Sequence, residues 1–135
     1  MEQLEMSRVM AIHTEVEGLN ADRIQSSEVV IEIGLRLAAY LPYTGQQMAL
    51  AKKIMNQKRK EAYDQLVFTQ RSLNQPVYPS TMKDYVNAQC CEEMYNYDLC
   101  ERANRSIVHA LDFLRSVLST LKEEMKISQY QNFNP

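Results

Sequence analysis

The stretch "VNAQCCEEMYNYDLCERANRSIVHALDFL", residues 86–114, belongs to a longer segment, from 81 to about 126, that has no glycine or proline. Most positions at alternating steps of four and three residues along it are apolar, and the pattern runs without a slip for more than five heptads. Such spacing predicts one long helix with the apolar seam of a coiled coil. The seam positions are Val86, Cys90, Glu93, Tyr97, Cys100, Asn104, Ile107, Leu111, Leu114, Leu118, Leu121 and Met125.

The length of this predicted helix indicates self-association. About 45 residues at 1.5 Å each give roughly 68 Å, which exceeds the diameter of a compact 15.7 kDa chain. Part of the seam should then pack outside a compact monomer, so we expect a homo-oligomer. The residues predicted for the contact are Asn104, Ile107, Leu111, Leu114, Leu118 and Leu121. Two shorter helices, broken near Asn96 or Asn104, are the alternative.

Two seam positions, Glu93 and Asn104, are polar. A polar side chain within an apolar interface lowers stability but fixes register and partner number. The alternative is that each lies at the edge of the seam and contacts water.

The three cysteines of this stretch do not have the spacing of a metal site. On a helix, Cys90 and Cys100 are separated by roughly 15 Å along the axis, whereas zinc needs its sulfur ligands at about 2.3 Å. Both lie on the seam, where a thiol behaves as a small apolar group. Cys91 lies off the seam and is the better candidate for a reactive or intermolecular thiol. We predict no metal and no cofactor.

The composition favours helices over strands throughout the chain. Only three glycines and four prolines occur in 135 residues, too few for the frequent turns of a sandwich or barrel. We predict an all-α fold, a bundle of three to four helices with a long C-terminal helix. Residues 1–126 form a single domain and residues 127–135 a polar, flexible tail.

Local signals divide the first half of the chain. Gly18 should end a first helix over 2–17, and Asn20 could cap a second over 21–41. The sequence Leu-Pro-Tyr-Thr-Gly at 41–45 is either a kink or a tight turn, and we predict the turn because proline removes a helical donor.

A third helix is predicted over 46–72, followed by a loop at 73–80 that contains two prolines. Thr81 and Asp84 approximate a capping box at the start of the long helix.

The N-terminal residues Met-Glu-Gln-Leu-Glu-Met have neither a basic start nor an apolar block, so they do not form a secretory signal. No run of 18 apolar residues occurs, and no membrane span is expected. With an odd number of cysteines, this favours reduced thiols and a cytoplasmic location.

Carboxylate pairs on one helical face raise the possibility of an enzyme. Three such pairs could hold Mg²⁺ against a phosphate: Glu28 with Glu32, Glu61 with Asp64, and Asp98 with Glu101. The element Glu61-Ala62-Tyr63-Asp64 resembles one found in the all-α nucleotide pyrophosphohydrolases, but the Glu-Glu-x-x-Glu that accompanies it there is missing. We therefore expect a protein without catalytic activity, with this magnesium enzyme as an alternative.

The segment "KKIMNQKRK", residues 52–60, concentrates positive charge in a chain whose net charge is −2. Its cations could neutralise phosphates of a nucleic acid, or simply form a solvated face or pair with an acidic segment. The candidate contacts are Lys52, Lys53, Lys58, Arg59 and Lys60.

Eight tyrosines and eight methionines are typical of surfaces that dock on other proteins. The blocks "YLPYTGQQMALAKKIMNQKRKEAYDQL" and "YPSTMKDYVNAQCCEEMYNYDLCERANRSIVHALDFLRSVLSTLKEE" resemble small helical proteins of bacterial viruses and mobile elements. That resemblance implies a role in assembly, recombination or host antagonism, and for a viral protein the host cytoplasm. We predict a non-catalytic interaction or scaffold protein that self-associates, with nucleic-acid binding as the alternative.

Overall fold

The computed structural model describes residues 3–19, 24 and 26–133. These ranges contain four helices, namely α1 (Met6–Glu17), α2 (Ser27–Ser72), α3 (Pro79–Gln89) and α4 (Cys91–Phe133), and no β-strand. The predicted all-α fold with a long C-terminal helix is confirmed. Gly18 ends α1, as expected, with its N–H bonded to the carbonyl of Thr14.

The two long helices α2 and α4 pack antiparallel and form the frame of the molecule. Ser26 lies beside Leu121 at one end of the pair. In the middle Thr44 contacts Asn104, and towards the other end Met55 and Met94 line one groove. Between these two ends the helices cover each other's apolar sides, while the C-terminal part of α2 packs against α3. The buried side chains of the main core, which α1 and residue 24 also join, are Ile12, Val16, Ile24, Val30, Leu37, Ile107 and Leu114.

Helix α1 lies against the middle of this pair. The Tyr40 hydroxyl donates to the Glu15 carboxylate at 2.9 Å, and the Tyr43 hydroxyl donates to Glu5 at 2.9 Å. The Arg8 guanidinium lies 4.2 Å from the centre of the Tyr43 ring, a cation–π contact. Under α1 a second buried cluster consists of Val9, Ala51, Cys100 and Ala103. The middle of the molecule is therefore a three-helix bundle.

Helix α2 continues through Pro42 and Gly45, so the predicted turn at 41–45 and the predicted break between two helices are wrong. Gly45 has no positive φ. Pro42 removes only the bond to the Ala38 carbonyl, and both residues are exposed, so water can satisfy that oxygen. Burial of Leu37 and Thr44 on the opposite side holds the helix together across the proline.

The long helix predicted from residue 81 is interrupted at Cys90, which separates α3 from α4. Neither Asn96 nor Asn104, the alternative break points, interrupts α4. The Cys90 backbone (φ −108°, ψ 12°) leaves the helical region, while its side chain is fully buried. Pro79 begins α3 with Tyr78 as its N-cap, so Thr81 lies inside the helix and the capping box predicted there is wrong.

Helix α4 extends to Phe133, beyond the predicted end at residue 126. No glycine or proline occurs in 127–133, and the pair Lys126–Glu123 (3.5 Å) supports the last turns. Every residue from 122 to 133 is exposed, because α2 begins only at Ser27, beside Leu121. The predicted cap Asn20 lies outside the described residues. Ser26 caps α2 by accepting from the Val29 N–H at 3.3 Å.

The buried side chain of Gln47 attaches the residues before α1 to α2. It accepts from the Glu5 N–H at 2.7 Å and donates to the Gln3 carbonyl at 3.1 Å. We expect Gln47→Ala to lower the free energy of unfolding by about 1–3 kcal/mol, because two hydrogen bonds, each contributing about 0.5–1.5 kcal/mol, are lost. Urea denaturation would measure this. The exposed Gln57→Ala on the same helix should change it by less than about 0.5 kcal/mol, and equal effects would contradict the assignment.

Candidate functional site

The six residues predicted for self-contact lie on the side of α4 that faces α2. Ile107 is 0% and Leu114 3% exposed in the single chain. Three others, Leu111, Leu118 and Leu121, pack against the main core as partly buried residues. A contact between copies through these side chains would require α2 to move away, so their periodicity is explained within one chain. Self-association stays a prediction, and this seam no longer supports it.

Asn104, the sixth of these residues, fixes the register of α2 against α4. Its amide nitrogen donates to the Thr44 hydroxyl at 3.0 Å and to the Leu41 carbonyl at 3.4 Å. The Thr44 hydroxyl, fully buried, donates in turn to Leu41 at 3.1 Å. A slip of one turn would take the half-buried Asn104 amide away from both of its acceptors on α2, although the Thr44–Leu41 bond lies within α2 and would persist. The polar seam position therefore serves the fold of the monomer.

The three cysteines differ sharply in their surroundings. Cys90 and Cys100 are fully buried, and burial raises the pKa of both thiols. The Cys100 sulfur lies 3.7 Å from the sulfur of Met6. Cys91 is exposed. Because the thiolate is the reactive form, Cys90 and Cys100 belong to the core, and Cys91 is the accessible thiol.

This difference predicts the thiol chemistry of the native protein. A disulfide reagent should modify one thiol per chain rapidly, and the other two only after denaturation, because the core excludes the reagent. Cys91→Ser should abolish the rapid phase. Rapid modification that persists in Cys91→Ser would show that a core cysteine is accessible.

The three carboxylate pairs do not meet. Glu28 and Glu61 lie on the same helix about 50 Å apart along its axis. Asp98 and Glu101 instead pair with arginines of their own helix, Asp98 with Arg102 at 3.2 Å and Glu101 with Arg105. Within the described ranges, no group of three or more His, Cys, Asp or Glu residues could hold a metal ion. The geometry therefore does not assemble the magnesium centre on which the enzyme alternative depends.

The basic segment of α2 is divided between two environments. Lys52, Lys53 and Lys60 are exposed and line a shallow depression with Ala49. Lys58 and Arg59 are half-buried, beside Cys90. None of these five cations forms an ion pair with another residue in the described part of the chain. The three exposed lysines are thus the ones available to a partner.

A groove of about 570 Å³ runs between α2 and the region around the α3–α4 junction. Arg59 lies in it with a buried Nε that has no hydrogen-bond partner in the described structure. Met55, Met94 and Tyr97 supply apolar walls, and Asp98 borders it. This mixed lining offers opposite charges and an apolar floor, but it does not define one ligand.

The outer side of α2, opposite α1 and α4, carries an exposed apolar surface that the sequence analysis missed. Ile31 is 50% and Leu35 69% exposed. Ala38, Ala39 and Pro42 continue the surface, and all three are exposed. We define these five residues as the outer face of α2. A signal for this surface was present in the sequence, because only Glu32 and Arg36 are charged over residues 29–42. A helix with so few charged residues is normally covered by other elements on most sides.

Although this half of α2 is apolar around its circumference, the described ranges contain no helix long and apolar enough to cross a membrane. Comparison with known protein families, with curated proteins and with solved structures finds no match.

Proposed function

We propose that this chain is a non-catalytic interaction protein that self-associates through the outer face of α2. The observation that carries the proposal is the exposure of Ile31 and Leu35, one turn apart, on a helix whose other two sides are covered by α1 and α4. Arg36, the nearest cation, is held by Glu15 of α1 at 3.2 Å. The outer face therefore has an uninterrupted apolar centre.

The expected energetics favour a reversible association. Full burial of a leucine or isoleucine side chain contributes about 1.5–3 kcal/mol, and a two-fold contact contains each side chain twice. The lost translational and rotational freedom opposes association by about 4–15 kcal/mol. A concentration-dependent oligomer follows. The resemblance to small proteins of bacterial viruses and mobile elements supports a role in assembly or host antagonism in the host cytoplasm.

Solution mass is the direct test. Wild-type protein should sediment as more than one chain at micromolar concentrations, and Leu35→Glu should sediment as one, because the new carboxylate would have to lose its water in the contact. The matched control is Phe113→Glu, which changes a 46% exposed side chain on α4 and should leave the mass unchanged. A wild-type protein that stays monomeric at its highest soluble concentration would refute the proposal.

Nucleic-acid binding is a second candidate, supported by the three exposed and unpaired lysines Lys52, Lys53 and Lys60. Replacing all three with glutamate should abolish a gel shift with duplex DNA at low salt. The association constant of the wild-type protein should fall with roughly the first power of the salt concentration for each phosphate contact. The control reverses Lys83, Lys122 and Lys126, which are exposed elsewhere. No wild-type shift at low salt, or equal losses in both variants, would remove this candidate.

A further inference from the structure

We propose that the outer face of α2 is occupied by the same face of a second copy, with the two α2 helices antiparallel and Glu28 of each beside Lys52 of the other. This inference rests on the proposed self-association and specifies its geometry. Ala38 and Pro42 then lie at the centre of the contact, Leu35 and Ile31 lie between the centre and each end, and the charged pairs close its two ends.

The sequence of α2 provides a second heptad seam on its outer side. Its positions step by three and four residues without interruption, as in a coiled coil. None of the side chains on this seam belongs to either buried core cluster. The seam positions are Glu28, Ile31, Leu35, Ala38, Pro42, Gly45, Ala49 and Lys52.

Side-chain size selects the antiparallel arrangement. When the two-fold axis passes at the level of residue 40, Ile31 meets Ala49 of the second copy. Leu35 meets the backbone of Gly45, which is half-buried at the edge of the outer side, where an added Cβ would lie 3.7 Å from Asn104 Nδ2 of α4. Each large side chain thus faces a small one, which allows the helices to approach closely and fill the space between them. In a parallel pair at equal register, large side chains would meet at one end and small ones at the other, leaving a void.

Charge selects the same arrangement. Glu28 and Lys52 are exposed, and neither forms an ion pair with another residue in the described ranges. The antiparallel register places each beside its opposite. A parallel pair would place glutamate against glutamate and lysine against lysine, which is unfavourable. Size and charge therefore indicate one register.

The other sides of α2 leave this face free. Tyr40, Tyr43 and Gln47 hold α1, while Leu37 and Thr44 pack towards α4. None of these five is on the outer seam. The proposed contact therefore leaves the contacts of α2 with α1 and α4 unchanged. It also covers the Ala38 carbonyl, which has no helical partner because of Pro42, and removing that oxygen from water opposes association.

Disulfide cross-linking tests the register. In a Cys91→Ser background, the double variant Ile31→Cys with Ala49→Cys should form a covalent dimer under mild oxidation, and each single variant should not. Residues 31 and 49 of one helix are roughly 27 Å apart, and a disulfide needs Cα atoms within about 7 Å, so no bond can form within one chain. Two cysteines at position 31 would be equally far apart in an antiparallel pair. A covalent dimer of the Ile31→Cys single variant would instead show a parallel pair and overturn the inference.

Charge exchange gives an independent test by sedimentation. Glu28→Lys and Lys52→Glu alone should each raise the dissociation constant of the dimer about tenfold. The double exchange should restore it to within about threefold of wild type, because the pairs are re-formed with reversed polarity.

The outcomes separate the two proposals. A wild-type oligomer that fails the double-cysteine cross-link, or in which the double exchange is no better than the single ones, overturns the antiparallel register and leaves the self-association proposal standing. A monomeric wild type overturns both. Oligomerisation that is lost in Leu35→Glu, together with a cross-link that needs both cysteines, establishes the register.

Discussion

The antiparallel contact between α2 and α4 is the constraint on which the rest of the structure depends. Both helices depend on tertiary packing, because most helical stability in proteins comes from burial of one face. As far as Leu121, the apolar seam of α4 is covered by α2 of the same chain, and residues 122–133 beyond it are exposed. Asn104 makes the pairing specific, since its amide finds acceptors on α2 only where Leu41 and Thr44 stand opposite. The position of α1 and of the exposed surfaces follows from that register.

The part of this fold that sequence reveals is the part governed by periodicity. The seam of α4 is readable, because leucines recur from Leu111 to Leu121 at coiled-coil spacing. The sequence does not show which helix covers this seam, because a partner helix from the same chain and one from another copy require the same heptad pattern. The seam therefore predicted the helix correctly. The residues that it suggested for self-contact lie against α2 within the single chain. The sequence analysis compared the length of this helix with the diameter of a compact monomer. It did not consider a monomer that is itself elongated, with two long helices packed as a hairpin.

Strong local signals were overridden where long-range packing opposed them. Proline and glycine at 42 and 45 favour a turn locally, but a turn there would remove half of the surface that α4 needs. At Cys90 the opposite occurs, because a helix is interrupted where the sequence gives no local signal for a break. The neighbours of Cys90 contain no helix breaker, yet the helix is interrupted where its side chain is fully buried. The charge gap over 29–42 indicates from the sequence that this part of α2 is apolar on more than one side. Which of its apolar residues remain exposed could not be predicted, because Ile31 and Leu35 are distinguished from core residues only by the positions of α1 and α4.

The two long helices also keep the three carboxylate pairs apart. Side chains that are far apart along a straight helix cannot approach each other, and for this reason Glu28, Glu61 and Asp98 do not form one centre. An exposed surface, by contrast, can extend along the whole length of such a helix. On α2 the apolar outer face is followed by the exposed lysines, and Lys52 belongs both to these lysines and to the outer seam. If copies pair as proposed, Lys52 is neutralised by a glutamate and is lost to any phosphate, whereas Lys53 and Lys60 remain at the rim. Self-association and nucleic-acid binding are therefore linked through one side chain, and by thermodynamic reciprocity each would weaken the other.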